Sequence, residues 1–282
     1  MEYLYRLKDE CVLIKQCDRI MAYLSTHDEL EKASRVGLIK LEHIYYKHDS
    51  LYEKTQQALK AKPEKLAELY FHSQPSEVVV QSLVDQVSQH CTLKLKVKAI
   101  LLQSFHHAIH NRYFQAQDLV LKSQLAKTIA KQQIQNQIFY NRTAVQIGLA
   151  AYRLGLFEEC NSVLSEICQN PKLKESLAQG QSNYSRLQEK TLEEEIEEKK
   201  RFMPPHLQLN LEQLDCVFMV TSMLQEVVNQ VENKFTIAKK VISRNFRKLI
   251  DQYDSKGFQF VPSSNRDQIV AASRFLNKSQ WQ

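Results

Sequence analysis

The chain is almost without turn-forming residues. Five Gly and six Pro in 282 residues amount to about a third of the roughly 12% that average usage supplies. An all-β sandwich or barrel needs turn residues every 8 to 12 positions or so, and a dinucleotide-binding fold needs a glycine-rich loop. Both are excluded, which leaves an all-α chain. Hydrophobic residues at 43% and charged residues at 25% match an ordinary globular composition, so the helices have enough apolar surface to bury.

The longest nearly apolar run, Cys216 to Leu224, is nine residues, against about 20 for a bilayer crossing. No membrane partner is expected. Glu2, Arg6, Lys8, Asp9 and Glu10 stand where a secretory signal has its apolar core, which points to the cytosol or nucleus. Six cysteines, at positions 11, 17, 91, 160, 168 and 216, show no C-x-x-C spacing and mostly fall in apolar stripes. They read as free thiols packed as small hydrophobes. The net charge of +6 is mild, so partners are to be sought in local charge patterns.

Apolar spacing divides the chain into helices. Leu4, Leu7, Cys11, Ile14, Cys17, Met21 and Leu24 follow steps of three and four and predict one helix over 3–24. Thr26-His27-Asp28-Glu29 has capping-box spacing and predicts a second helix over 27–48, antiparallel to the first. Pro63 suits the first turn of a short helix, and Pro75 precedes the apolar segment 78–87. Further helices are predicted over 92–111, 113–130, 134–154 and 156–169. Gly148, Ala150 and Ala151 allow close helix approach, Gly155 suits a left-handed helix end, and Cys160, Val163, Leu164 and Ile167 form the next inward stripe. That is the pattern of a tetratricopeptide-like helix pair.

Roughly a dozen helices with short links predict a right-handed helical-repeat array. Residues 189–201 carry Glu195–Lys199 and Glu197–Arg201 at i, i+4 with little apolar face, which predicts a solvated helix or linker. Beyond it, Leu214, Val217, Val220, Leu224 and Val227 line one face of a helix whose other face carries Phe218, Met219 and Met223. A helix apolar nearly all round belongs at the centre of the packing. The expected organisation is therefore helical hairpins over 1–98, tetratricopeptide-like repeats over 99–188, a charged linker or helix over 189–204 and further packed helices over 205–282.

No nucleotide-binding or hydrolase motif of the form G-x-x-x-x-G-K-[ST] or G-x-S-x-G occurs. His106 and His110 stand one turn apart, but the zinc-protease pattern H-E-x-x-H requires a Glu where His107 stands. His106, His107 and His110 thus read as packing or hydrogen-bonding residues. No catalytic residue, cofactor or metal is expected, and the chain does not read as an enzyme. A more informative group is Lys239, Lys240, Arg244, Arg247 and Lys248. Four of these follow i, i+4, i+7 and i+8, opposite Ala238, Ile242, Phe246, Leu249 and Ile250. A helix docked by one side would show a basic stripe on the other, as a solvated face or as a contact for RNA phosphates or an acidic partner.

Several segments in order resemble the c-subunit family of eukaryotic translation initiation factor 3. They are Y-L-Y-R-L-K-D-E at 3–10, H-I-Y-Y-K at 43–47, H-H-A-I-H-N-R-Y-F-Q-A at 106–116, Y-N-R-T-A-V-Q-I-G at 140–148, P-H-L-Q-L-N-L-E at 205–212 and I-V-A-A-S at 269–273. The stretch 106–155 is the most specific; 50–98 and 172–200 are loose. The resemblance implies a PCI-type helical array over 205–282 and a cytoplasmic, non-catalytic scaffold. Implied partners are sister PCI subunits of the factor, other initiation factors, and the proteins and rRNA of the small ribosomal subunit. Members of the family carry a long region before this segment and a winged helix after it, so the resemblance also implies a truncated chain. A PCI subunit of the proteasome lid or signalosome, and a stand-alone RNA-binding helical-repeat protein, are the alternatives.

Overall fold

The computed structural model of the chain describes residues 2–7, 9–51, 53–54, 75–180, 191–232, 244–255, 264–277 and 280. Every regular element among the described residues is helical. The expected single helix over 3–24 is two, α1 (Glu2–Arg6) and α2 (Glu10–Thr26). The break has a local cause: the Asp9 carboxylate accepts hydrogen bonds from the Cys11 and Val12 amides at 2.9 and 3.4 Å, starting a new helix there. The apolar stripe survives the break, because Leu4 still packs with Leu13, Ile14, Cys17, Val36 and Ile39.

The expected capping box at Thr26 does not form. Its backbone is still helical, and its hydroxyl donates to the Tyr23 carbonyl at 2.6 Å instead of accepting from the next helix. Asp28 then turns the chain at φ 58°, and α3 (Leu30–Ile44) begins after Glu29. A capping box does occur at Thr191, whose hydroxyl accepts from the Glu194 amide while the Glu194 carboxylate accepts from the Thr191 amide, opening α11 (Leu192–Arg201). The i, i+4 pairs Glu195–Lys199 and Glu197–Arg201 lie along that helix at 3.8 and 3.1 Å.

Packing follows the chain order. Helix α2 lies on α3, α3 on α4 (Ser76–His90) and α4 on α5 (Leu93–Ile109). Helix α5 then packs on both α6 (Tyr113–Lys122) and α8 (Ile134–Arg153), and α8 on α9 (Phe157–Cys168). The expected helix over 113–130 is interrupted: Gln124 takes φ 49°, then come α7 (Leu125–Thr128) and a 3-10 turn, Ile129–Lys131. The interruption turns Leu125 into Val97 and Leu101 of α5, where it is buried. Past the short α10 (Leu173–Ser176), α12 (Leu211–Glu232) packs on α9, and α13 (Arg244–Ser255) and α14 (Asn265–Asn277) pack on α12 and on each other.

Two large apolar clusters hold the array. One joins α3, α4 and α5 through Leu41, Ile44, Val80, Leu83, Val87, Leu102 and Phe105. The other gathers α8, α9 and α12 through Val145, Ala150, Ala151, Cys160, Leu164, Leu214, Phe218 and Met223. Each large aliphatic side chain so buried contributes roughly 1.5–3 kcal/mol. Leu209 packs against both clusters. At Gly148 α8 lies tight against α9: a Cβ there would sit 2.5 Å from Leu164 Cδ2. Gly155 ends α8 at φ +78°, in the left-handed region that favours glycine.

Candidate functional site

Helix α12 is the platform for the C-terminal candidate surface. Its N-terminus is capped by Asn210, whose side-chain oxygen accepts from the Glu212 and Gln213 amides at 3.0 and 3.2 Å. Helix α13 docks on it by Phe246, which is fully buried, with Leu249 and Ile250 against the same cluster. That is the apolar side expected from spacing. On the other side Arg244 and Lys248 are exposed. Arg247 is placed differently: its Nε and Nη2 both donate to Glu226 Oε1 of α12, at 3.0 and 2.8 Å, and the Glu226 side chain is fully buried. A buried carboxylate needs such a partner. Lys239 and Lys240, with Ala238 and Ile242, lie outside the described residues.

Sequence reasoning missed a buried cation in α8. Arg142 is 1% exposed, and its guanidinium donates to the Leu177 carbonyl at 3.4 Å and to the Leu207 carbonyl. Beside it Asn141 donates to the Ser176 carbonyl at 3.1 Å, and the Met203 amide donates to the Ala178 carbonyl at 2.8 Å. These bonds tie the turn after α10 and the strap over 202–209 to α8. His206 on that strap faces Tyr46 beyond α3, with ring centroids 5.7 Å apart. Burial lowers the guanidinium's affinity for its proton, although the Tyr45 hydroxyl nearby opposes the shift. The signal in the sequence was only a lone Arg inside an otherwise buried stripe.

His106 and His110 are held by hydrogen bonds, whereas His107 is buried with its Nδ1 unpartnered among the described residues. His106 Nε2 bonds Ser76 Oγ at 2.9 Å, and His110 Nδ1 lies 2.9 Å from the His106 carbonyl. A carbonyl only accepts, so His110 Nδ1 carries the proton and Nε2 accepts from the Asp49 amide at 3.3 Å. His48 stacks on His110 with centroids 4.6 Å apart. Burial, with the neighbouring His110 and His107, pushes His106 down to about 3. Among the described residues no group of three or more His, Cys, Asp or Glu side chains is arranged to hold a metal.

All six cysteines are free thiols. Burial pushes Cys17 and Cys160 up to about 11 and Cys168 to about 12, so these three stay protonated and act as packing groups. Between α6, α8 and α9 lies a groove of about 310 Å3, whose lining includes Val120, Leu121, Ala144, Ile147, Val163 and Ile167 together with polar side chains such as Tyr140 and Glu166. Among the described residues no helix is long and apolar enough to cross a membrane.

A family model described as the N-terminus of eukaryotic translation initiation factor 3 subunit 8 matches residues 1–237. The C subunit of eukaryotic translation initiation factor 3 from Culex quinquefasciatus is 33% identical over 291 residues, which cover 100% of this chain and 30% of the relative. Its namesake in Yarrowia lipolytica is 31% identical over 294 residues, covering 100% of this chain and 35% of the relative. The C subunit of Xenopus laevis is 33% identical over 284 residues, 99% of this chain and 30% of the relative. The chain thus spans about a third of the length of the curated relatives it matches. With the family model matching most of the chain and these relatives aligned along all or nearly all of it, the chain belongs to the C-subunit family of eukaryotic translation initiation factor 3.

Proposed function

We propose that this chain is a non-catalytic, cytoplasmic scaffold segment of translation initiation factor 3. It holds sister PCI-containing subunits side by side and supports initiation-complex formation on the small ribosomal subunit. The alignment of nearly the whole chain with proteins named as the factor's C subunit carries this reading. The array supports it physically, because helices stacked in chain order offer long outward faces on which several partners fit at once. Within that role, Lys239, Lys240, Arg244, Arg247 and Lys248 are proposed as a contact for rRNA phosphates or an acidic sister subunit, with Arg247 also serving Glu226.

Affinity purification of the full-length protein from cells tests the reading. Recovery of other initiation factor 3 subunits with small-subunit ribosomal proteins is the expected result. Recovery of proteasome-lid or signalosome subunits, or of RNA without any of these proteins, overturns it.

A further inference from the structure

Charge is distributed unevenly along the chain in a way no short window reveals. Between Asp85 and Glu158 there are nine Lys and Arg residues and one acid, Asp118. The rest of the chain has 29 cations against 31 acids, so the whole positive excess resides in the middle of the array. Several of the nine are internally committed. Lys98 pairs with Glu42 at 2.6 Å, Arg112 with Glu77 at 2.6 Å and Lys122 with Asp118 at 2.9 Å. Arg142 is buried against carbonyls, and Arg153 donates to the Asn111 side chain at 2.5 Å. Lys96 is half-buried on α5.

The other three are concentrated at one edge. Lys94 is in the first turn of α5, Lys127 on α7 and Lys131 at the end of the 3-10 turn, and all three are exposed with no ion-pair partner among the described residues. The structure brings these three segments together. Asn136 in the first turn of α8 donates its side-chain amide to the Lys94 carbonyl at 3.2 Å. Gln137 donates to the Ala130 and Gln132 carbonyls at 3.3 and 3.0 Å, fixing the turn that carries Lys131. Leu125 anchors α7 on Val97 and Leu101 of α5. Along the segments that carry the lysines, the exposed polar side chains Gln124, Thr128, Gln133 and Gln135 are neutral. Helices α5 and α8 also both begin here, with no acid in either first turn, so their positive ends add to the field of the lysines, while Glu175 and Glu198 line a hollow on the side of Ile134 and Gln137.

We propose that this edge, formed by Lys94, Lys127 and Lys131, is a docking surface for the phosphodiester backbone of a nucleic acid. Lysine is depleted from protein–protein interfaces, whereas it is a standard donor to phosphate oxygens. Three ammonium groups on separate elements, interleaved with neutral hydrogen-bonding side chains, suit a chain of evenly spaced charges better than one compact anion. The surface is distinct from the 239–248 stripe, and the proposal does not rest on the scaffold reading.

The test uses the whole chain, a fluorescent RNA 20-mer and a polyglutamate peptide of equal charge, with binding followed by anisotropy across a salt series. The test variant is Lys94→Gln, Lys127→Gln, Lys131→Gln. A control removes three exposed cations elsewhere, by Arg19→Gln, Lys54→Gln, Lys174→Gln. Each lysine that neutralises a phosphate adds about 0.7 to the slope of log K against log salt on single-stranded RNA, so the triple variant should lose about 2 from the slope and about 100-fold in affinity at 0.1 M salt. The control should keep the wild-type slope, and polyglutamate should bind the wild type at least tenfold more weakly than RNA. An unchanged slope in the triple variant overturns the proposal, as does an equal loss in the control. Polyglutamate binding as tight as RNA also overturns it and assigns the edge to an acidic protein segment instead. All six substituted side chains are exposed, so each variant should melt like the wild type.

Discussion

At the scale of single residues, stability turns on where the core has no spare volume. Gly148 faces Leu164, which is fully buried, and a methyl group there would meet its Cδ2 at 2.5 Å and its Cγ at 2.7 Å. Gly148→Ala should therefore destabilise by about 1–3 kcal/mol despite the better helix propensity of Ala. Leu164→Ala alone should cost about 2–5 kcal/mol. Combined, the two should cost less than their sum by about 1 kcal/mol or more, since the methyl then fills part of the cavity. Urea unfolding of the four proteins checks this, and strict additivity would show that the helices do not touch there. His106 supplies a second test. Its neutral imidazole is buried, so the unfolded chain binds a proton below about 6.5 that the folded chain does not take up until about 3. Its contribution to stability is whole above 6.5 and falls as pH drops, by up to about 1.4 kcal/mol per pH unit. His43 and His107 are shifted in the same direction, also chiefly by burial. Unfolding measured at about pH 7.5 and about pH 5 should show a shallower loss in His106→Gln than in the wild type. Equal losses would show that His106 plays no part in the acid sensitivity.

Elements were legible where the chain punctuates them with glycine. The α8–α9 hairpin follows from Gly148, Gly155 and the Cys160–Ile167 stripe, and the structure sets Gly155 at φ +78° as that pattern requires. Polar punctuation misled. Thr26 and Glu29 have capping-box spacing, yet the hydroxyl found a nearer acceptor in the turn behind it, at the Tyr23 carbonyl. Asp9, in sequence only one of several charged residues, starts a helix. The capping box at Thr191 was obscured by the charge run around it, whose i, i+4 pairs are the stronger pattern. Arg247 belongs at this scale as well. Read from spacing it is one of five equivalent cations, but it joins α13 to α12 through a fully buried Glu226. Arg247→Ala should cost about 1–3 kcal/mol, below the range for a wholly buried pair because the guanidinium is one-third exposed. Arg244→Ala and Lys248→Ala should each stay within about 0.5 kcal/mol. Thermal melts separate the two classes, and three equal effects would contradict the assignment of Arg247 to the helix junction.

Across the whole molecule, composition alone reached the fold class: a chain with eleven Gly and Pro residues packs helix on helix in sequence order. It could not reach the strap over 202–209, because the hydrogen bonds of Arg142 to Leu177 and Leu207 span 35 and 65 residues. The basic edge was hidden for the same reason, its lysines being divided among α5, α7 and a 3-10 turn. The scaffold reading is tested most directly by sedimentation. Lysate from crosslinked cells expressing the full-length protein is resolved on a sucrose gradient, and the protein is followed across the fractions. The expected result is a peak with the small ribosomal subunit, together with other initiation factor 3 subunits, and little with the large one. A protein found only in fractions without small-subunit rRNA, in company with a different helical-repeat complex or alone, would contradict it.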